Sequence, residues 1–420
     1  MPHNVSADRA AIDGQGFLHW WAQMTILGVI AIGLTGFGVV ILAIVAVLFV
    51  EILAAFALPG KYRLLSQSKR PGLAVIVPAH DEALGIAATV GALKADLRAQ
   101  DRLIVVADNC NDDTFDIANN AGAEAIRRHD PERRGKGFAM DFAIRHLAAD
   151  PPEVVIFIDA DCRTDADSLT RLAAWSQERA RPVQALYEMV LQPHETAVSM
   201  KIAAFAWQVK NNARALGRHR MNLPCQLTGS GMAFPWQVVA HADLATGMIV
   251  EDIALGLALA QDGRAPLFCP ESRVSSFFPA SSDGKSSQRA RWESGHLTVI
   301  RHQLPRLLMK AVRDRNLPLL ALVVDAAVPP LALVALLLAA HLLASLMLAV
   351  AGGSQFPLGL AMLAMVSFAI GVFVAWWHVG RSTVSLSALA FAPIYSISKT
   401  ILYARVLIGQ KLEWVRTKRD

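Results

Sequence analysis

With 420 residues the chain has room for two ordinary domains or for one domain with a membrane part, and its 54% hydrophobic content favours the second. The net charge of +5 requires no nucleic-acid partner, because the basic residues sit beside apolar segments, where anionic lipid headgroups attract them. Cys110, Cys162, Cys225 and Cys269 stand singly without a CxxC pair, which argues against a structural zinc site and, in a reducing cytoplasm, against disulfides.

After a tail over 1–23, residues 24–50 run without a charge and are long enough to cross the hydrocarbon layer as a helix. The tail carries Asp8 and Asp13 against Arg9, and the run is too long for a cleaved signal, so an uncleaved anchor is expected. Lys61, Arg63, Lys69 and Arg70 follow it, and Arg301, Arg306, Lys310, Arg313 and Arg315 precede the next apolar block. By the positive-inside rule the segment between them, 72–300, faces the cytoplasm of a multi-pass inner-membrane protein.

Within that segment LAVIVPAH (73–80), RLIVVAD (102–108) and VVIFIDAD (154–161) predict buried strands, and 84–99, 111–121 and 137–149 have helical spacing. The alternation implies an α/β domain with a largely parallel sheet. Ligands of such sheets bind beyond the carboxyl ends of the strands. Those ends carry His80, Asp81 and Glu82, then Asp108, then Asp159 and Asp161. Residues 196–217 suit a helix packed on the sheet or lying on the membrane surface. VEDIALGLALAQDG (250–263) is a helix that opens on two acids and closes at Gly263.

From Leu317 the chain is apolar again over 317–408, broken by Pro318, Pro329 and Pro330. This predicts an interfacial helix to about Val328 and then a membrane span. AGGSQ (351–355) is a turn, and 356–378 is a further span ending at Trp376 and Trp377. The stretch 384–408 contains Lys399 and Arg405 and leads to a basic tail over 409–420, so it either crosses or lies in the interface.

Several acids and bases here suit one chemistry. Asp159 and Asp161 in FIDADC can reach one ligand, and oxygen-only donors suit Mg2+ or Mn2+. Solvated turns also produce D-x-D, so the pair gains meaning from its company. Glu82 and Asp108 lie at the same sheet edge, and RRGKG (133–137), with Lys136, offers cations and backbone flexibility to phosphates or is a solvated basic loop. Glu251 and Asp252 either complement a helix N-terminus or supply a general base, Asp252, for an attacking hydroxyl. In SSQRARWESG, Gln288, Arg291 and Trp292 share one helical face, suited to phosphate and sugar contact or to snorkelling at a membrane.

VPAHDE, the Asp of VADNC, the D-x-D of FIDADC, the acids of VEDIALGLAL and Q-x-x-R-W of QRARW occur in the order found in processive-type family 2 glycosyltransferases, which include cellulose, chitin and hyaluronan synthases. The resemblance covers about residues 72–300; RGKGFA and TGSGMAFP are similar to segments of the same group. It implies a GT-A-type mixed sheet with flanking helices, plus transmembrane and interfacial helices. It also implies inverting transfer of a hexose from a nucleotide sugar, UDP- or GDP-linked, in one displacement with Mg2+ or Mn2+. Asp108 would contact the base, Asp159 the nucleotide and Asp161 the metal; Asp252, beside Glu251, would be the base. Gln288, Arg291 and Trp292 would frame diphosphate and acceptor, and Glu82 and Lys136 would join the donor site.

Two departures shape the expectation. Asp108-Asn109-Cys110 replaces the usual run of acids and glycine, and the membrane part is small for a polymer-translocating channel. Single addition to a lipid-linked or glycan acceptor at the membrane surface is therefore expected ahead of processive synthesis. Readings from other classes are a transporter, flagged by Asp325, Lys399 and Arg405 in apolar blocks, and a catalytically inactive membrane scaffold.

Overall fold

Apolar residues alternate sides along Leu73–Ala79, so that Leu73, Val75, Val77 and Ala79 join one core while Ala74 and Ile76 join another across the sheet. That two-sided burial marks a central strand with helices on both faces. The computed structural model describes residues 14–60, 70–247, 250–279 and 281–407. The expectations for Asp8, Arg9, Asp13, Lys61, Arg63, Lys69 and the tail 409–420 lie outside the described residues.

The strands are β1 (Leu73–Ala79), β2 (Arg102–Asp108), β3 (Glu124–Arg128), β4 (Val154–Phe157), β5 (Arg163–Thr164), β6 (Val183–Val190), β7 (Met232–Pro235) and β8 (Leu267–Phe277). They form one eight-stranded sheet in the order β3-β2-β1-β4-β7-β6-β8-β5. β1 to β4 pair in parallel, β7 runs antiparallel to β4 and β6, and β6 and β8 are parallel. The mixed sheet and its flanking helices are those implied by the resemblance.

Two expectations are corrected in detail. The strand predicted over 154–161 ends at Phe157: Ile158 N–H makes the last rung of the ladder, to the Ile76 carbonyl, and the chain then turns, Cys162 N–H closing on the Asp159 carbonyl at 3.0 Å. Arg70, assigned above to lipid headgroups, instead donates to Asp101 at 2.5 Å and to Thr170 at 3.0 Å, with its side chain buried.

The first apolar helix extends over Gly14–Ala57, and Leu331–Val350 and Phe356–Ala375 form the next two long apolar helices. Among the described residues, four helical stretches are long and apolar enough to cross a membrane: Met24–Ala57, Leu331–Val350, Phe356–Gly380 and Leu386–Arg405. The predicted helix over 196–217 is a continuous run of Val198–Gln208, a π-helical turn Val209–Arg214, and Ala215–Arg220. This run packs Ile202, Phe205 and Val209 against Leu48 and Ile52 of the first apolar helix. Gly217 makes the closest approach, since a Cβ there would fall 1.7 Å from the Glu51 carbonyl oxygen.

At the same junction Glu51 accepts from Arg214 Nε at 2.6 Å and from Arg218 Nη1 at 2.7 Å, while Arg214 Nη2 donates to Asp325 at 2.5 Å. Gln226 completes the cluster on the second Asp325 oxygen at 2.7 Å. All four charges are buried. Asp325 therefore belongs to a buried ion-pair cluster and Lys399 to an ion pair with Glu293.

Candidate active site

A cavity of about 370 Å³ opens beyond the carboxyl ends of β1, β2 and β4. Glu82, Asp108, Lys136, Asp159, Asp161, Glu251, Asp252, Gln288, Arg291 and Trp292 all line it, so the structure brings together the ten residues expected at the donor, metal, base and acceptor positions, while Asp81 does not line it. These residues come from three strand ends, the starts of helices Lys136–Leu147 and Glu251–Gln261, and the helix Ser282–His302.

Asp108 is the last residue of β2 and is buried. One carboxylate oxygen accepts from Arg128 Nη1 at 2.6 Å and from Asn109 Nδ2 at 3.1 Å. Burial pushes its pKa up despite the Arg128 guanidinium. Arg128 had no sequence signal, because its partner lies on the neighbouring strand. Glu82 sits just past β1, where its backbone N–H donates to Thr114 Oγ1 at 2.8 Å.

RRGKG is not a solvated loop at its centre. Lys136 opens a helix and points inward, its Nζ donating to Asp159 Oδ1 and, at 2.8 Å, to the Gly229 carbonyl. Burial alone would depress this ammonium, but Asp159 and Glu251 outweigh it and raise its pKa. The glycine that follows has a packing cause: a Cβ at Gly137 would meet the Leu244 carbonyl oxygen at 2.2 Å. Gly229, in TGSGMAFP, lies in the left-handed region with φ +91° and turns its carbonyl toward Lys136.

Asp159 and Asp161 occupy the turn after β4. Asp159 N–H donates to Ser230 Oγ at 3.1 Å, and Asp161 accepts from Ser276 Oγ at 2.5 Å. Ligand atoms of Asp159, Asp161 and Cys162 lie within 4.8 Å of one another. Burial and the two neighbouring carboxylates push the Cys162 thiol well above its ordinary range, so it stays protonated beneath the turn. The usable donors are two carboxylates, a set that fits a hard divalent cation such as Mg2+ or Mn2+.

Glu251 and Asp252 start the helix Glu251–Gln261. Burial, then the charge of Asp252, raises Glu251 to about 7. Burial also raises Asp252, partly offset by the Ile253 N–H at 2.8 Å and by Lys210 and Lys136. Lys210, a lining residue on the π-helical turn, was missed by sequence reasoning; a lone lysine in a helix has no motif, although π-helical turns recur at functional sites.

Gln288 and Trp292 share a helical face as predicted, and Trp292 packs on Trp207 at 4.8 Å between ring centroids. Trp207 meets Tyr187 edge-on at 5.5 Å and donates its Nε1–H to the Tyr187 carbonyl at 3.0 Å, extending an aromatic wall that the sequence did not reveal. Along the cavity Asn211 Nδ2, Thr228 Oγ1 and Gln288 Oε1 are buried without a hydrogen-bond partner among the described residues. Unsatisfied buried polar atoms are costly, so their convergence on one cavity marks it as built for a polar ligand.

Comparison with solved structures gives 19% identity and a TM-score of 0.54 to the mannosyltransferase PcManGT from Pyrobaculum calidifontis, solved with GDP-Man and Mn2+, over 89% of this chain and 99% of that one. Glucosyl-3-phosphoglycerate synthase from Mycobacterium tuberculosis, solved with Mn2+, UDP and glucosyl-3-phosphoglycerate, is 20% identical over 54% of this chain and 80% of its own, with a TM-score of 0.34. No curated protein sequence matches the chain significantly. The model of the family described as "Glycosyltransferase like family 2" matches residues 71–295, more than half of the chain. On that match, which spans both the strand-end carboxylates and the Q-x-x-R-W helix, the chain belongs to glycosyltransferase-like family 2.

Proposed function

We propose that the protein is an inverting, metal-dependent hexosyltransferase that moves one sugar from a UDP- or GDP-sugar to a lipid-linked or glycan acceptor at the cytoplasmic face of the membrane. In this reading residues 72–300 are the catalytic domain, held by the membrane helices on either side of it. The observation that carries the proposal is the single cavity in which the D-x-D turn, the Glu251-Asp252 pair and the Gln288–Arg291–Trp292 face converge.

Asp108 and Glu82 hold the nucleoside at the sheet edge, and Lys136 lies where it can pass from Asp159 to a diphosphate oxygen. Mg2+ or Mn2+ held by Asp161, with Asp159 beside it, would neutralise charge on the leaving diphosphate. Arg291 and Gln288 close the diphosphate end, and Trp292 presents an indole to the acceptor. Asp252 takes the proton from the acceptor hydroxyl as its oxygen bonds to the anomeric carbon and the bond from that carbon to the diphosphate breaks. No enzyme nucleophile is needed, so the anomeric configuration inverts.

The helix Leu304–Arg313, directly after the Q-x-x-R-W helix, supports the membrane-facing acceptor. It is strongly amphipathic and exposes Leu308, Met309 and Val312, while Arg306, Lys310 and Arg313 lie along the same short helix, as suits a lipid surface. The test is Asp252→Asn in the full-length protein. Transfer from labelled nucleotide sugar is expected to fall by about 10²- to 10⁴-fold while nucleotide still raises the melting temperature. Unchanged turnover would remove Asp252 as the base, and a wild type that turns over no UDP- or GDP-sugar would favour the scaffold reading.

A further inference from the structure

Leu386–Arg405 is apolar enough to cross a membrane, but it is the least apolar of the four stretches and carries Lys399 and Arg405. Its helical hydrogen-bond ladder is also interrupted at Ala390–Phe391 and at Lys399, although the backbone there stays right-handed helical. Leu386–Leu389, Ala392–Ser398 and Thr400–Leu407 follow one another along it, and each meets a different part of the protein.

The pieces have two unlike sides. Phe391, Ile394, Ile397 and Ile401, three or four residues apart, are 54–67% exposed. On the other side Lys399 Nζ lies 3.0 Å from Glu293 Oε1, with side chains only 13% and 18% exposed, and Tyr403 is buried. Glu293 is the residue after Trp292. The first piece packs on Val198–Gln208 beneath the sheet, the second on that helix and on the apolar helix Leu331–Val350, and the third on Ser282–His302.

We infer that residues 386–405 form an interfacial strap rather than a fourth crossing, and that the Lys399–Glu293 ion pair fixes the helix that presents Gln288, Arg291 and Trp292. The exposed apolar side rests on lipid, continuous with the neighbouring membrane helices, and the polar side faces the catalytic domain. Glu293 and Lys399 are positioning residues: they act through Arg291 and Trp292. Their role in turnover rests on the glycosyl-transfer reading, whereas the path of the strap does not.

With three crossings the C-terminus lies on the same side as the catalytic domain; with four it lies opposite. Two single-cysteine additions to the full chain decide this, one appended after Asp420 and one at the exposed Arg145 (Arg145→Cys), labelled by a membrane-impermeant maleimide in intact and lysed cells above the parent's background. The two sites are expected to respond alike, and opposite responses overturn the strap. In purified protein, Glu293→Ala and Lys399→Ala are each expected to lower kcat by about tenfold or more, with donor KM within about twofold. The exchanged pair Glu293→Lys with Lys399→Glu should recover most of that loss. Unchanged kcat in the single variants, or an exchanged pair no better than they are although nucleotide still raises its melting temperature, overturns the positioning role. A wild type without transferase activity would sink the functional proposal while the labelling still decides the strap.

Discussion

Adjacent Glu251 and Asp252 repel each other in a buried cavity, and the structure answers with two lysines, Lys136 and Lys210, that approach from different helices. The pair titrates together, and the group raised to about 7 must lose its proton before the cavity holds its full negative charge. Transfer is therefore expected to rise with pH as Glu251 ionises at about 7 and its charge strengthens Asp252 as a base, and a rate flat from about pH 5 to pH 9 would contradict that coupling. The same shift bears on stability. Below the ordinary value of 4.5 both folded and unfolded Glu251 are protonated; above about 7 the folded protein bears the full cost of the buried charge. Glu251→Gln should thus raise the melting temperature at pH 8 and leave it nearly unchanged at pH 4. At this scale the sequence was informative wherever charge followed an apolar run, as at Asp108, Asp159 and Asp161. It was silent on Arg128, Lys210 and Asn211, whose significance comes from neighbours distant in the chain.

Elements join through contacts that leave little tolerance. A Cβ at Gly217 would overlap the Glu51 carbonyl, and backbone on both sides leaves no flexible end to yield. Gly217→Ala is expected to cost about 1–3 kcal/mol or more, read as a lower melting temperature in detergent. Arg214→Met would leave Glu51 and Asp325 to share Arg218 alone of the two buried arginines, and loss of one member of a buried ion pair costs about 3–5 kcal/mol. The parallel half of the sheet was legible because β1, β2 and β4 are continuous apolar runs buried on both faces. The antiparallel half was not, since Met232–Pro235 is four residues long and acquires its register only by pairing with β4 and β6. The D-x-D turn shows the same limit: the apolar pattern ran on to Ile158, but the strand ends at Phe157 and the chain then turns.

Across the whole molecule, the apolar blocks predicted at 24–50, 317–350 and 356–378 correspond to helices because length and hydropathy alone specify such segments. The last block was ambiguous in sequence for a physical reason: its lysine is balanced by Glu293, more than a hundred residues earlier. A small membrane part offers few helices to line a channel, so labelled donor and acceptor should yield products one sugar longer than the acceptor. A ladder of long products on a denaturing gel would overturn single addition.

The helix Gly14–Ala57 has 44 residues and so measures about 66 Å, roughly twice the thickness of a hydrocarbon layer. Its far end is pinned in height by Gly217 and in rotation by the salt bridges of Glu51. It therefore ties the membrane part to the cavity itself, because the π-helical turn Val209–Arg214 carries both Lys210, which lines the cavity, and Arg214, which holds Glu51.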